Sequence, residues 1–116
     1  MTTKFFSNDE LACPCCGACA MDPGFMIMID NARFKSLIPF TVNSAFRCSV
    51  HNAKVGGKHT SAHLTGNAMD IKTIGGRDRG VILASLVKAG FVRIGIAHGF
   101  IHADNDPQKE PSVWLY

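Results

Sequence analysis

Apolar positions along this chain change their spacing several times, and each change marks an element. Phe25, Met26, Ile29, Ala32 and Leu37 recur near helical spacing, with Met26 and Met28 as core filler. Asp22 caps that helix, Pro23 suits its first position, and Pro39 ends it. Residues 40–46 are rich in strand formers and alternate in part. A polar, glycine-bearing stretch over 47–61 has no such period and reads as a long functional loop. Residues 67–73, around Ala68-Met69-Asp70-Ile71, predict a short strand, and Gly75-Gly76 a turn. Val81, Ile82, Ser85, Leu86 and Val87 predict a second helix over 77–89, with Gly90 as its stop. Residues 91–98 and 99–104 predict two strands around a bend at Gly99, and period two puts Phe100, His102 and Asp104 on one face. The apolar tail 113–116 predicts an edge strand, and Ser7 with Glu10 a capped turn over 7–12.

Length and composition narrow the class. The 116 residues, 47% hydrophobic, predict one folded domain over 1–116 rather than a disordered chain. The net charge of +3 is scattered, with no basic stripe and no aromatic stacking motif, so nucleic acid is not an expected partner. A mildly basic surface suits an anionic target such as a bacterial wall. The first ten residues have no secretory pattern, and no apolar run would span a bilayer. The expectation is cytoplasmic synthesis without a signal peptide, no membrane insertion, and release by other means if the target lies outside.

Four of the five cysteines crowd into Cys13, Cys15, Cys16 and Cys19, and Cys48 stands apart. The pairs Cys13/Cys16 and Cys16/Cys19 have C-x-x-C spacing. Three readings stand: a structural metal, a disulfide to Cys48, or thiols buried as small hydrophobes.

The chemistry concentrates in Ser61-Ala-His63-Leu-Thr-Gly66-Asn-Ala-Met-Asp70. A carboxylate in an apolar strand must be paired, protonated or bound to metal. An imidazole and a carboxylate suit zinc, and His102 offers a third ligand from another apolar stretch. The alternatives are ordinary ones: a hydrogen-bonded loop imidazole for His63, an ion pair to Arg47 or Lys72 for Asp70, and a polar outer face for His102 and Asp104. A peptidase built on such a site also needs a general base and a cation for the substrate carboxylate or the oxyanion. Asp104 or His98 could serve as base, and Arg47 as the clamp. His51 and His59 read as solvated or hydrogen-bonded loop side chains, with His51-Asn52 bracing the loop.

Ser44-Ala-Phe-Arg47-Cys-Ser-Val-His51-Asn52, Val55-Gly56-Gly57, the Ser61-x-His63-x-x-Gly66-x-Ala68-x-Asp70 string and Phe100-Ile-His102-x-Asp104 together resemble the zinc D-Ala-D-Ala carboxypeptidases and related phage endolysins. That family shares its fold with the hedgehog signalling domain. The resemblance runs over roughly residues 6–116. It implies an α+β fold, a small antiparallel sheet with flanking helices, which agrees with the element order above. It implies Zn2+ on His63, Asp70 and His102, a substrate-facing Arg47, a polar contact from Ser61, and cleavage of peptidoglycan stem peptides next to D-alanine. Many members carry an acidic base three residues before the last histidine ligand, where this chain has Gly99. Asp104 is then the first candidate for the base and His98 the second, unless Asp104 orients an imidazole instead. The resulting expectation is a monomeric zinc peptidase of phage or wall-remodelling type. The alternative is a zinc-stabilised wall- or protein-binding module without catalysis.

Overall fold

A computed structural model describes residues 4–116, so the reading of the first ten residues lies partly outside it. Helix α1 (Asn8–Leu11) opens with the expected capping box, in which the Glu10 amide donates to Ser7 Oγ at 3.3 Å and the Ser7 amide to Glu10 Oε1 at 3.0 Å. Helix α2 (Pro23–Ser36) starts where Asp22 Oδ2 accepts from the Phe25 amide at 2.9 Å. Helix α4 (Gly75–Lys88) begins two residues ahead of the expected 77.

The stretch 47–61 is not the continuous loop its composition suggests. It contains helix α3 (Ser49–Lys54), whose first turn is capped by Cys48 Sγ accepting from the His51 amide at 3.4 Å. Periodicity could not reveal α3, because it buries no apolar stripe. Val50 points to solvent, and the one buried residue is Asn52. Asn52 does brace the segment, donating through Nδ2 to the Lys58 carbonyl at 2.9 Å.

Five strands form one sheet: β1 (Val42–Ser44), β2 (Ala68–Lys72), β3 (Arg93–Ile96), β4 (Phe100–Asp104) and β5 (Ser112–Leu115). Their order is β1-β2-β4-β3-β5. Neighbours run antiparallel except β3 and β5, which are parallel. The apolar tail is thus an edge strand, as expected, and the fold is α+β with helices flanking a mostly antiparallel sheet.

Alternation along the strands divides the sheet into two faces. Met69, Ile71, Ile94, Ile101 and Ala103 point into a core shared with Phe25, Met26 and Ile29 of α2 and Ile82 and Leu86 of α4. Each fully buried Phe, Met, Ile or Leu side chain among these contributes roughly 1.5–3 kcal/mol. Both long helices cover that face and pack on each other. The intervening strand positions, Asp70, His102, Asp104, Arg93 and Gly95, fall on the other face, where no long helix covers them. Among the described residues no helix is long and apolar enough to cross a membrane.

Candidate metal centre

Antiparallel register makes Asp70 on β2 and His102 on β4 direct partners. Their side chains therefore rise side by side from the open face, with Asp70 Oδ1 2.8 Å from His102 Nδ1. His63 reaches the same point from a 3₁₀ turn (Ala62–Thr65), its Nε2 3.4 Å from Asp70 Oδ1. One donor atom from each of the three lies within 4.8 Å of the others.

The turn that carries His63 is held at both ends. Ser61 Oγ accepts from the His63 amide at 3.2 Å, and Gly66 ends the turn in the left-handed region at φ 72°. Gly66 also packs so closely on the Ala20 carbonyl that a Cβ there would overlap it. Ser61, expected to touch substrate, thus caps the turn while its side lines the adjacent cleft.

The outer partners fix which nitrogen of each ring faces Asp70. His63 Nδ1 lies 2.7 Å from the Ala45 carbonyl, which can only accept, so Nδ1 carries a proton and Nε2 is the nitrogen turned toward Asp70. His102 Nε2 donates to Asp104 Oδ2 at 2.7 Å, which turns Nδ1 toward Asp70. The donor set is two imidazole nitrogens and one carboxylate oxygen, each ring held by a second partner. This chemistry fits a zinc-class ion.

Charge balance in the metal-free site follows from the same contacts. Burial alone would raise the Asp70 carboxyl, but hydrogen bonds from His102 and His63 outweigh it and hold it well below the usual carboxylate range. Burial would lower His102, yet Asp104 and Asp70, one at each ring nitrogen, push it up. Asp104, also pressed upward by burial, is held down by His102, the Asp106 amide and Arg93.

Asp104 stands on the far side of the His102 ring from Asp70. It is 2% exposed, with Oδ1 bound by Arg93 Nε at 2.7 Å and by the Asp106 amide at 3.1 Å. Such a carboxylate orients an imidazole, and the ring separates it from the point where the three donors meet. His98 is exposed in the β3–β4 bend, where its carbonyl accepts from Arg79 Nη2 at 2.8 Å. The structure therefore brings His63, Asp70 and His102 together, sets Asp104 behind them, and leaves His98 in the bend. Gly99 lies exposed in that same bend, with open space where a Cβ would be.

Arg47 is part of the cluster. Its amide donates to the His63 carbonyl at 3.1 Å, Nε donates to Ser44 Oγ at 3.0 Å, and Nη1 donates to Asn52 Oδ1 at 3.3 Å. Nη2 then lies 3.5 Å from Asp70 Oδ2.

Two clefts flank the donors. One, of about 470 Å³, is lined by Lys58, Ser61, Arg93, His102, Trp114 and Tyr116 among others. The other, of about 280 Å³, is lined by Ser44, Arg47, His51, Val55, Asp70 and Phe100, with Asn43. Sequence reasoning missed two of these side chains. Trp114, read only as an apolar tail residue, has its ring 5.4 Å from that of His102. His51, read as a loop imidazole, shares a cleft with Asp70 and Arg47. The His51-Asn52 pair beside Arg47 was the available signal.

The family model for Peptidase M15 matches residues 5–104. This chain belongs to that family. The match spans α1 to the last residue of β4, so every donor in this M15 chain lies inside it. A peptidase assignment follows at the level of the family. No curated protein matches the chain in sequence.

Proposed function

We propose that this M15 chain is a zinc peptidase that hydrolyses peptide bonds in peptidoglycan stem peptides, with His63, Asp70 and His102 as the zinc ligands. The observation that carries this reading is the meeting of His63 Nε2, Asp70 Oδ1 and His102 Nδ1 from three separate segments. Zinc bound there would polarise a carbonyl and acidify a water.

The chain's own residues supply the rest. Ala45 and Asp104 hold the two rings, so the ligand nitrogens need little reorganisation when the ion enters. Arg47 presents a planar fork beside Asp70, suited to a substrate carboxylate or to charge developing on the carbonyl oxygen. Trp114 and Tyr116 give the larger cleft an apolar wall, and Lys58 gives it positive charge, Arg93 there being paired with Asp104. That combination suits short peptides ending in a carboxylate. A proton must pass from the attacking water to the leaving amine. His51 is the imidazole of the Arg47 cleft and is not one of the three ligands, so we assign it this transfer. Asp104 keeps the orienting role. Action on the wall by a phage-type lysin, after release from the cell that made it, belongs to the same proposal.

The test is digestion of purified peptidoglycan with and without a chelator, with products read by mass. Chelator-sensitive release of amino acids or dipeptides is expected. His51→Ala should lower turnover while metal content holds, and His63→Ala should lose both. A second reading, a wall-binding module without turnover, is favoured by Gly99 at the family's base position and by Asp104 lying behind His102. It predicts metal-loaded protein that binds wall fragments and leaves every bond intact.

A further inference from the structure

The peptidase reading leaves the cysteines unused, and the fold gathers them. Cys13, Cys15 and Cys48 place their sulfurs within 4.8 Å of one another, although Cys48 is 35 positions from Cys13 in sequence. Cys13 and Cys48 sulfurs are 3.6 Å apart, and Cys48 and Cys15 sulfurs 3.8 Å. Cys16 follows Cys15 directly in the same loop. The Cys48 amide donates to the Cys13 sulfur at 3.5 Å, and the His51 amide to that of Cys48 at 3.4 Å. Two backbone bonds set the loop, from the Cys13 amide to the Ala18 carbonyl at 2.7 Å and from the Gly17 amide to the Cys13 carbonyl at 2.8 Å.

Those sulfur separations discriminate between chemistries. A disulfide needs about 2.05 Å between sulfurs. Four sulfurs at about 2.3 Å from one tetrahedral zinc stand about 3.8 Å from each other. The observed spacings match the edge of that tetrahedron. Amides aimed at the sulfurs stabilise thiolates, the form that binds metal.

We propose that Cys13, Cys15 and Cys48 hold a second, structural ion of the zinc class, distinct from the one at His63, Asp70 and His102, with Cys16 of the same loop as the fourth ligand once the ion is bound. On binding, each thiol releases its proton to solvent and no electron is transferred. Cys48 directly follows Arg47 and caps α3, so this ion would pin the loop after α1 to the segment that presents Arg47 and His51. The inference does not depend on the peptidase reading, since it uses none of that site's ligands.

The test is metal analysis of the full chain purified under reducing conditions, followed by replacement with cobalt. About two zinc ions per chain are expected, and the cobalt form should show a near-ultraviolet sulfur-to-metal charge-transfer band. Cys48→Ser should lower the count to about one and abolish the band, whereas His63→Ala should lose the other ion and keep the band. Cys15→Ser, at an exposed position, covers the case in which Cys48→Ser does not fold, and should weaken the band. The wild-type cobalt spectrum needs no variant at all. The proposal is overturned by a cobalt protein without the band, by a single ion lost in His63→Ala, or by a Cys13–Cys48 disulfide in the reduced preparation.

Discussion

Gly95 lies directly beneath the Trp114 indole, where a Cβ would come within 2.5 Å of Nε1. Gly95 is also the register partner of His102 on β4 and of Trp114 on β5. The absent side chain is what lets the indole settle against the imidazole at 5.4 Å and under the Arg93 guanidinium at 5.1 Å. Gly95→Ala should therefore displace Trp114, with a stability loss of about 1–3 kcal/mol. Trp114 is the chain's one tryptophan, so its fluorescence reports the displacement directly. An unchanged emission spectrum with unchanged thermal stability would refute the packing argument.

Asp104→Asn keeps the shape of the side chain but removes the charge that faces both His102 and Arg93. An orienting carboxylate of this kind is worth about 10–100-fold in metal affinity. Competition with a chelating dye should show a loss of that order. If Asp104 were the proton carrier instead, turnover would collapse with metal affinity intact.

Metal uptake should depend on pH with a definite sign. His102 is raised above its ordinary 6.5, so the metal-free site holds a proton there that an incoming ion must expel. Affinity should climb about tenfold per pH unit below the raised His102 value and level off above it. Asp70 is held low and stays charged across this range. The same shift stabilises the metal-free fold below the unfolded histidine value, and that contribution fades as pH rises through the folded one. Chelator competition for affinity and thermal melts of stripped protein check the two halves separately. A flat affinity across the histidine range would refute the first.

Arg47→Lys retains a positive charge but cannot make the three separate contacts to Ser44, Asn52 and Asp70. A drop in kcat/KM of about tenfold or more is expected, with metal content preserved, because one hydrogen bond to a charged group is worth roughly 1.5–3 kcal/mol. Activity equal to the parent would remove Arg47 from substrate binding.

Gly66→Ala meets both a left-handed backbone and the Ala20 carbonyl. Strain of this kind costs about 1–3 kcal/mol. Since the turn carries His63, the variant should lose thermal stability and metal together. A variant that melts like the parent would show that the turn tolerates a side chain.

Sequence alone determined what periodicity and local chemistry can carry. The two long helices, the strand around Asp70, the paired strands about Gly99 and the edge strand at the tail follow from apolar spacing and from caps such as Asp22 and Ser7. Residue type and the family motif likewise marked His63, Asp70 and His102, since a carboxylate in an apolar strand such as Asp70 needs a partner. Tertiary structure decided the rest. Helix α3 buries an asparagine rather than an apolar stripe, so no period announces it. The position of Asp104 behind His102, not in front of it, depends on which way one ring turns, and spacing along β4 cannot report that. The approach of Cys48 to Cys13, and of Trp114 to His102 over Gly95, joins segments distant in sequence. Local patterns record which side chains leave water, whereas the meeting of distant ones is set by strand register and loop closure.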